Sequence, residues 1–211
     1  KFVILMQLTL YQEALQVGFE ILKSDTVRKE DFVALAAAFR EAGRNDESIQ
    51  ILERAAVTFP NDELVWLHLS HGYVKDESPL PAADLMHRAA HLNRDHLLKA
   101  AELYRKSGQR EQAIFLNSLV EVQDEKLRQR ISLLLDVREY DQLASLENRA
   151  RRLGLLDDER VLYALAYANF QIKRYEHAED LLVGISDPRI FKQALQIRKA
   201  IETCQADPEQ C

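Results

Sequence analysis

The sequence predicts an all-α fold assembled from repeated helical hairpins. Alanine, leucine, glutamate, arginine and glutamine dominate the chain, whereas runs of the strand-forming residues valine, isoleucine and threonine are few. Apolar residues recur at helical spacing along most of the 211 residues, and glycine or proline separates the successive stripes. Short amphipathic helices cannot bury such stripes alone, so we expect them to stack on one another.

The clearest repeating unit spans residues 29–62. Phe32 and Phe39 are separated by two helical turns and predict one buried face on a first helix. Gly43 follows and predicts that this helix ends through a left-handed residue. A second apolar stripe then continues to Pro60, which predicts the end of a second helix.

This unit resembles the tetratricopeptide repeat, a 34-residue helical hairpin with small residues where its helices cross. The matching positions are Ala36 and Ala55 (small), Phe39 (aromatic), Gly43 (turn) and Pro60 (exit). Ser48 departs from the pattern because alanine is usual there, and Asn45 replaces a usual aromatic residue. The resemblance implies a right-handed α-solenoid, a superhelix of antiparallel helix pairs, with a C-terminal capping helix.

Matching units along the chain predict one solenoid domain over residues 1–211. Its segments are a partial first repeat at 1–28, repeats at 29–62, 63–93 and 94–123, a divergent repeat at 124–158, a repeat at 159–186, a capping helix at 187–205 and a tail at 206–211. Such arrays need a polar-backed end. The capping-helix residues predicted to face the array are Ile190, Phe191, Leu195, Ile197 and Ile201.

The first apolar run, residues 2–6, is too short to span a membrane or to act as a signal peptide. We expect residues 1–10 to be the inner part of a helix whose preceding chain is absent. The exposed stripe at residues 2–6 then predicts self-association through this edge.

Charge and motifs argue against several classes of function. The net charge of −6 is spread without blocks of one sign, which argues against nucleic-acid partners and membrane insertion. No phosphate-binding glycine loop, nucleophile elbow, HExxH or CxxC motif occurs, so we expect no cofactor and no enzyme activity. The run Asp157–Asp158–Glu159 suits a helix start better than acid–base catalysis.

His87 and His91 have the i, i+4 spacing that two ligands of one metal ion use. The pattern supplies no third ligand, so we expect surface histidines and no metal site.

We expect a protein or peptide segment to bind in the concave groove lined by the first helix of each repeat. The predicted groove residues are His71, Leu98, Arg105, Arg128, Leu135, Tyr163, Tyr167 and Phe170. The last three share one helical face, because they lie four and three residues apart. Their rings either line the groove or are covered by the C-terminal helix.

Residues 127–135, 139–182 and 187–211 are similar to the tetratricopeptide repeat protein of some bacterial TonB energy-transduction systems. This resemblance implies a periplasmic scaffold that assists TonB-dependent transport. The alternative function is a structural spacer or self-assembly region of a larger envelope protein, for example in polysaccharide export. The alternative location is the cytoplasm.

The two cysteines, Cys204 and Cys211, lie on either side of a predicted turn. An even count in this arrangement predicts a disulfide and an oxidising compartment, whereas two free thiols are the alternative for a cytosolic protein.

Overall fold

The computed structural model of the chain describes residues 1–24 and 26–207. No β-strand occurs among them, and the predicted all-α fold is confirmed. The helices are α1 (Phe2–Gln7), α2 (Tyr11–Ile21), α3 (Lys29–Glu41), α4 (Asn45–Thr58), α5 (Glu63–Lys75), α6 (Pro79–Leu92), α7 (Leu97–Lys106), α8 (Arg110–Leu119), α9 (Gln123–Asp136), α10 (Tyr140–Ser145), α11 (Glu147–Arg152), α12 (Glu159–Gln171), α13 (Tyr175–Leu182) and α14 (Pro188–Ala206). Short 3-10 turns at Arg94–His96 and Leu155–Asp157 precede α7 and α12.

The chain divides into two compact units, Lys1–Ala113 and Ile114–Cys211, and the division falls within α8. In the first unit, α1 pairs with α2, α3 with α4, and α5 with α6, on which α7 packs. In the second unit, α9 and α10 pack on α12, α12 pairs with α13, and α14 packs on both. Within each unit, these contacts join helices that are close to one another in the chain, as expected of an all-α solenoid.

The first unit is centred on the stripe that the sequence predicts in α3. Phe32 and Phe39 are buried, and Phe59 meets the ring of Phe32 edge-on at 5.8 Å between ring centroids. Phe2 of α1 meets Phe39 in the same way at 5.9 Å. Rings packed edge-on add to the stabilisation from burial, so these contacts join α1, α3 and the end of α4.

Two buried serines of this unit differ in their hydrogen bonding. The hydroxyl of Ser70 donates to the carbonyl of Ala82 at 2.8 Å, but the hydroxyl of Ser48 has no partner among the described residues. Ser48 occupies the position where the repeat pattern has alanine. Asn45, which stands where the repeat pattern has an aromatic residue, is the first residue of α4, and its side-chain amide donates to the carbonyl of Gly72 at 3.0 Å.

In the part of the chain that the structure describes, six helix ends form a Schellman turn, in which a left-handed residue two positions after the helix is followed by an amide that donates to the carbonyl five residues earlier. The left-handed residues are Thr9, Gly43, Glu77, Gly108, Arg138 and Lys173. At Gly43, for example, the next amide, of Arg44, donates to the carbonyl of Phe39 at 2.9 Å. The predicted turn at Gly43 is confirmed, whereas nothing in the sequence marks the non-glycine turns.

The second helix of the divergent repeat is split into α10 and α11 at Leu146. The first residue after the split, Glu147, is buried and accepts hydrogen bonds from His177 of α13 and from Arg151. A carboxylate in a helical first turn also interacts favourably with the positive end of the helix.

The C-terminal helix α14 packs through a stripe that differs from the predicted one. The buried residues are Ala194, Ile197, Ile201 and Cys204. The prediction was wrong for Phe191 and Leu195, which are 41% and 38% exposed. Each lies one residue after a packed position, and one residue turns the side chain about 100° around the helix.

The predicted disulfide between Cys204 and Cys211 stays a prediction, because Cys211 lies outside the described residues.

The apolar residues 2–6, predicted to be exposed, lie on two different faces of the N-terminal helix α1. Phe2, Leu5 and Met6 pack against the core of the first unit. Val3 and Ile4 remain 63% and 59% exposed. Across the described part of the chain, no helix combines the length and the apolar character needed to cross a bilayer.

Candidate partner-binding groove

The second unit contains a cavity of about 560 Å³ lined by α9, the start of α12 and the start of α14. We call it the groove cavity. It brings together three of the predicted groove residues, Arg128 and Leu135 from α9 and Tyr163 from α12. The first turn of α14 contributes Ile190 opposite them. These residues therefore lie together in one cavity formed by α9, α12 and the capping helix α14. That a partner binds there stays a prediction.

The two aspartates that line the groove cavity, Asp158 and Asp187, are also N-caps of helices. Asp158 caps α12 by accepting from the amide of Arg160 at 3.0 Å, and it also forms an ion pair with Arg128 of α9. Asp187 caps α14 in the same way and pairs with Arg189 at 3.0 Å. The prediction that the acidic run 157–159 starts a helix is confirmed.

A third carboxylate, Glu159, fixes the start of α14. It accepts from the backbone amides of Ser186 and Asp187 at 3.0 and 2.6 Å, and these bonds, together with one from the Ser186 hydroxyl, lower its pKa. The position of α14 at the cavity thus depends on α12.

The groove cavity has more positive than negative charge in its lining. Three arginines face two aspartates, and both aspartates are used in the cap pairs described above. The hydrogen bond from Arg189 holds the pKa of Asp187 below its usual value. Arg160 forms no ion pair within the described part of the chain. Its guanidinium can therefore donate hydrogen bonds to an anionic group of a ligand.

A series of five rings continues from the groove cavity along α12. Tyr163 stacks on Tyr167 at 6.3 Å between centroids, and Tyr167 also meets Tyr140 at 5.8 Å and Phe170 at 6.4 Å. Phe170 contacts Tyr175 at 6.0 Å. We call these residues the aromatic series. All five residues are half-buried, so each packs against the core and keeps part of its surface accessible.

Two tyrosine hydroxyls of the aromatic series, those of Tyr163 and Tyr140, favour the neutral form. Burial, followed by the effect of Tyr167, raises the pKa of Tyr163. Burial and a hydrogen bond with Tyr167 raise the pKa of Tyr140. Near neutral pH these hydroxyls are therefore hydrogen-bond donors and not phenolates.

The two ends of the aromatic series have different surroundings. Phe170 and Tyr175 line a second cavity of about 440 Å³ together with Ala200, Thr203 and Cys204 from the far end of α14. Tyr163 lines the groove cavity. The Phe170 end of the series thus lies beside α14, while the Tyr163 end borders the groove cavity. A role for these rings in partner binding stays a prediction.

Tyr140 and Tyr175 are not among the groove residues predicted from the sequence. Each begins the second helix of its repeat, where the tetratricopeptide pattern has an aromatic residue. This repeat position could have indicated that Tyr140 and Tyr175 belong to the aromatic series, because an aromatic residue there can contact rings on a neighbouring helix.

The other predicted groove residues, His71, Leu98 and Arg105, lie in the first unit. His71 is exposed on α5, and Leu98 is half-buried on α7. Arg105 donates two hydrogen bonds of 2.8 Å to Glu102 of the same helix and lowers its pKa. A role for these three in partner binding stays a prediction.

The histidine pair His87 and His91 stacks at 4.7 Å between ring centroids. The Nδ1 atom of His87 lies 3.4 Å from the hydroxyl of Tyr104, which donates to Asp84 at 2.7 Å. Burial and the nearby His91 lower the pKa of His87. Among the described residues, no three histidine, cysteine or acidic side chains are placed to hold a metal ion.

The comparisons with known proteins agree on the fold. Residues 30–71 match the family model described as tetratricopeptide repeat. The chain is similar to the solved structure of YrrB, described as a TPR protein with an unusual peptide-binding site, with a TM-score of 0.60 at 13% identity over 86% of this chain and 92% of that one. It is also similar to a tetratricopeptide repeat protein from Parabacteroides merdae, with a TM-score of 0.56 at 13% identity over 93% and 80% of the two chains.

No curated protein sequence matches the chain significantly. Tetratricopeptide repeat proteins are generally scaffolds without catalytic activity that bind peptides in a groove. Residues 30–71 therefore match a tetratricopeptide repeat, and the chain shares an all-α solenoid fold with these tetratricopeptide repeat structures.

Proposed function

We propose that this chain is a non-enzymatic interaction scaffold and that the groove cavity of its second unit binds an extended segment of a partner protein. The observation that carries the proposal is the meeting of Arg128, Leu135 and Tyr163 in one cavity. A partly accessible aromatic residue on a helix is the kind of position where binding energy concentrates, because the ring is large and has few rotatable bonds.

The composition of the groove cavity favours a segment with an apolar side chain next to an acidic one. Leu135, Tyr163 and Ile190 offer apolar contacts, and Arg160 offers a guanidinium without an internal ion pair among the described residues. A cavity of about 560 Å³ has room for a few side chains of a bound segment. The peptide-binding site described for YrrB supports a peptide as the ligand class to test.

We also propose a location in the bacterial envelope and an accessory role in TonB-dependent uptake. The proposal rests on the resemblance of residues 127–135, 139–182 and 187–211 to the tetratricopeptide repeat protein of TonB systems, together with the predicted disulfide. Self-association through α1 belongs to the same proposal, since Val3 and Ile4 are exposed side by side.

A peptide-display selection on the full chain tests the groove. Peptides that bind the chain are then measured by isothermal titration against Tyr163→Ala and against Val183→Ala, a matched control that is 75% exposed in the same unit and does not line the groove cavity. We expect Tyr163→Ala to weaken binding by about 1–3 kcal/mol and the control to leave it unchanged.

Selected peptides that bind wild type and Tyr163→Ala equally would place the interaction elsewhere. A selection that enriches no peptide would contradict the scaffold function of the groove and favour the spacer alternative.

A further inference from the structure

A separate cavity of about 260 Å³ lies in the second unit between α9 and the short helices α10 and α11. We call it the basic cavity. Three cations line it, Lys126 and Arg130 from α9 and Arg149 from α11, and α10 contributes the neutral side chains of Gln142 and Ser145. No carboxylate is among its lining residues in the described part of the chain.

Each of the three cations is half-buried, and each donates only to neutral acceptors among the described residues. Lys126 donates to the carbonyls of Ser118 and Val120 at 2.5 and 3.0 Å, which holds its ammonium group against the end of α8. Arg149 donates to the side-chain carbonyl of Gln123. These bonds orient the cations without neutralising them.

Arg130 has the weakest internal bonding of the three. Its guanidinium donates to the carbonyl of Ile114 at 3.4 Å, a long hydrogen bond. Burial, followed by the positive charge of Arg149, lowers the pKa of Arg130. Two guanidinium groups are thus confined near each other without a counter-charge of their own.

The acidic residue that follows the cavity wall does not supply that counter-charge. Glu147 comes directly after Leu146, but its carboxylate is buried and accepts from His177 and Arg151. Within the described residues, no carboxylate forms an ion pair with Lys126, Arg130 or Arg149. The positive charge of the cavity is therefore available to a ligand.

We propose that the basic cavity binds a phosphate-type oxyanion, as free phosphate or as a phosphoryl group on a partner. The planar guanidinium forks of Arg130 and Arg149 match the oxygens of such a group, and Lys126 adds a third positive charge. Gln142 and Ser145 supply neutral polar contacts in the same cavity. This site lies apart from the groove cavity and is independent of the proposed peptide binding.

Isothermal titration of the full chain with inorganic phosphate, at ionic strength held constant with chloride, tests the site. We compare wild type with Arg149→Gln and with Arg152→Gln, a matched control on the same helix that is exposed and does not line the cavity. We expect Arg149→Gln to weaken binding at least about tenfold and Arg152→Gln to change it less than about twofold. Circular dichroism confirms that both variants are folded.

A short phosphoserine peptide and its unphosphorylated form then separate the two sources of the oxyanion. Much tighter binding of the phosphopeptide than of phosphate assigns the site to a modified partner, and equal binding assigns it to the free ion. The proposal is overturned if neither probe binds below about 10 mM, or if Arg149→Gln and Arg152→Gln weaken binding equally.

Discussion

The carboxylate of Glu147 accepts a hydrogen bond from the imidazole of His177 and thereby joins α11 to α13 in the second unit. A second bond, from Arg151 at 2.7 Å, holds the same carboxylate. Burial alone would raise the pKa of Glu147, but these two partners outweigh it and lower the pKa. Glu147 is the first residue after the split between α10 and α11. Its buried carboxylate therefore stabilises this irregular segment through hydrogen bonds from His177 and Arg151.

We expect Glu147→Gln to destabilise the chain by about 1–3 kcal/mol at pH 7, because the charged hydrogen bonds are lost while the shape is kept. Urea unfolding of wild type and variant measures the difference. Since the folded pKa lies below the unfolded value of about 4.3, the stabilisation is present above that value and disappears as the pH falls through the folded pKa.

The difference between wild type and Glu147→Gln should therefore shrink in acid. Glu176→Gln, at an exposed position on α13, is the control and should change stability by less than about 0.5 kcal/mol. A difference that stays constant from pH 7 to strongly acidic conditions would show that Glu147 is not ionised in the folded protein.

Ser48→Ala should stabilise the chain by about 1 kcal/mol. The substitution removes a buried hydroxyl that has no partner among the described residues, and alanine is the better helix former. Ser70→Ala, also at a fully buried position, should destabilise by about 0.5–1 kcal/mol because its bond to the Ala82 carbonyl is lost. Denaturant midpoints of the two variants should move in opposite directions, and shifts of the same sign would disprove the assignment.

Tyr167→Ala should lower the stability by about 2–3 kcal/mol, because Tyr167 contacts the rings of Tyr140, Tyr163 and Phe170. Tyr163→Ala should cost less, since Tyr163 stacks on Tyr167 at one end of the ring series and borders the groove cavity. Thermal unfolding compares the two variants. Equal losses would mean that Tyr163 is as much a core residue as Tyr167.

Paired substitution of Ile4 and Leu8 by glutamine should reduce self-association of the chain. Both side chains are largely exposed, at 59% and 60%. Sedimentation velocity over a range of concentrations measures the effect. Val57→Gln, at a residue 82% exposed on α4, controls for the loss of one apolar group elsewhere. A wild-type chain that stays monomeric at the highest concentration would rule out association through α1.

Glu77→Gly should stabilise the turn after α5 by about 0.5–1 kcal/mol, because glycine adopts a positive φ without strain and Glu77 has a φ of 55°. Gly108→Ala, at the matching turn after α7 with a φ of 82°, should destabilise by about 1 kcal/mol. Chemical unfolding of both variants provides the check, and a destabilising Glu77→Gly would mean that the glutamate side chain supports the turn.

The sequence predicted the helices and the buried faces of repeats such as 29–62 because apolar spacing and glycine turns are local signals. It also brought Arg128, Leu135 and Tyr163 into one predicted groove, since repeat register assigns each position to a face. It missed the exposed positions of Phe191 and Leu195, because which residues of a wide apolar stripe are covered depends on how the neighbouring helix lies.

The basic cavity was also missed by sequence reasoning. Lys126 and Arg130 lie in α9, whereas Arg149 lies in α11, well separated in the sequence. No local sequence pattern in either segment indicates that these two helices meet. The split at Leu146 could not be predicted from the sequence either. It accompanies the burial of Glu147, whose partner His177 lies thirty residues further along the chain.

The shared turn geometry has a consequence for folding kinetics. At each of the six turns the closing bond joins an amide to a carbonyl only five residues earlier, for example Ser78 to Tyr73 and Arg174 to Asn169 at 2.9 and 2.8 Å. These turns can therefore form from residues that are close in the sequence, without contacts to distant parts of the chain. Proteins dominated by such local contacts fold in microseconds to milliseconds, and hairpins of this kind can form before their neighbours are in place.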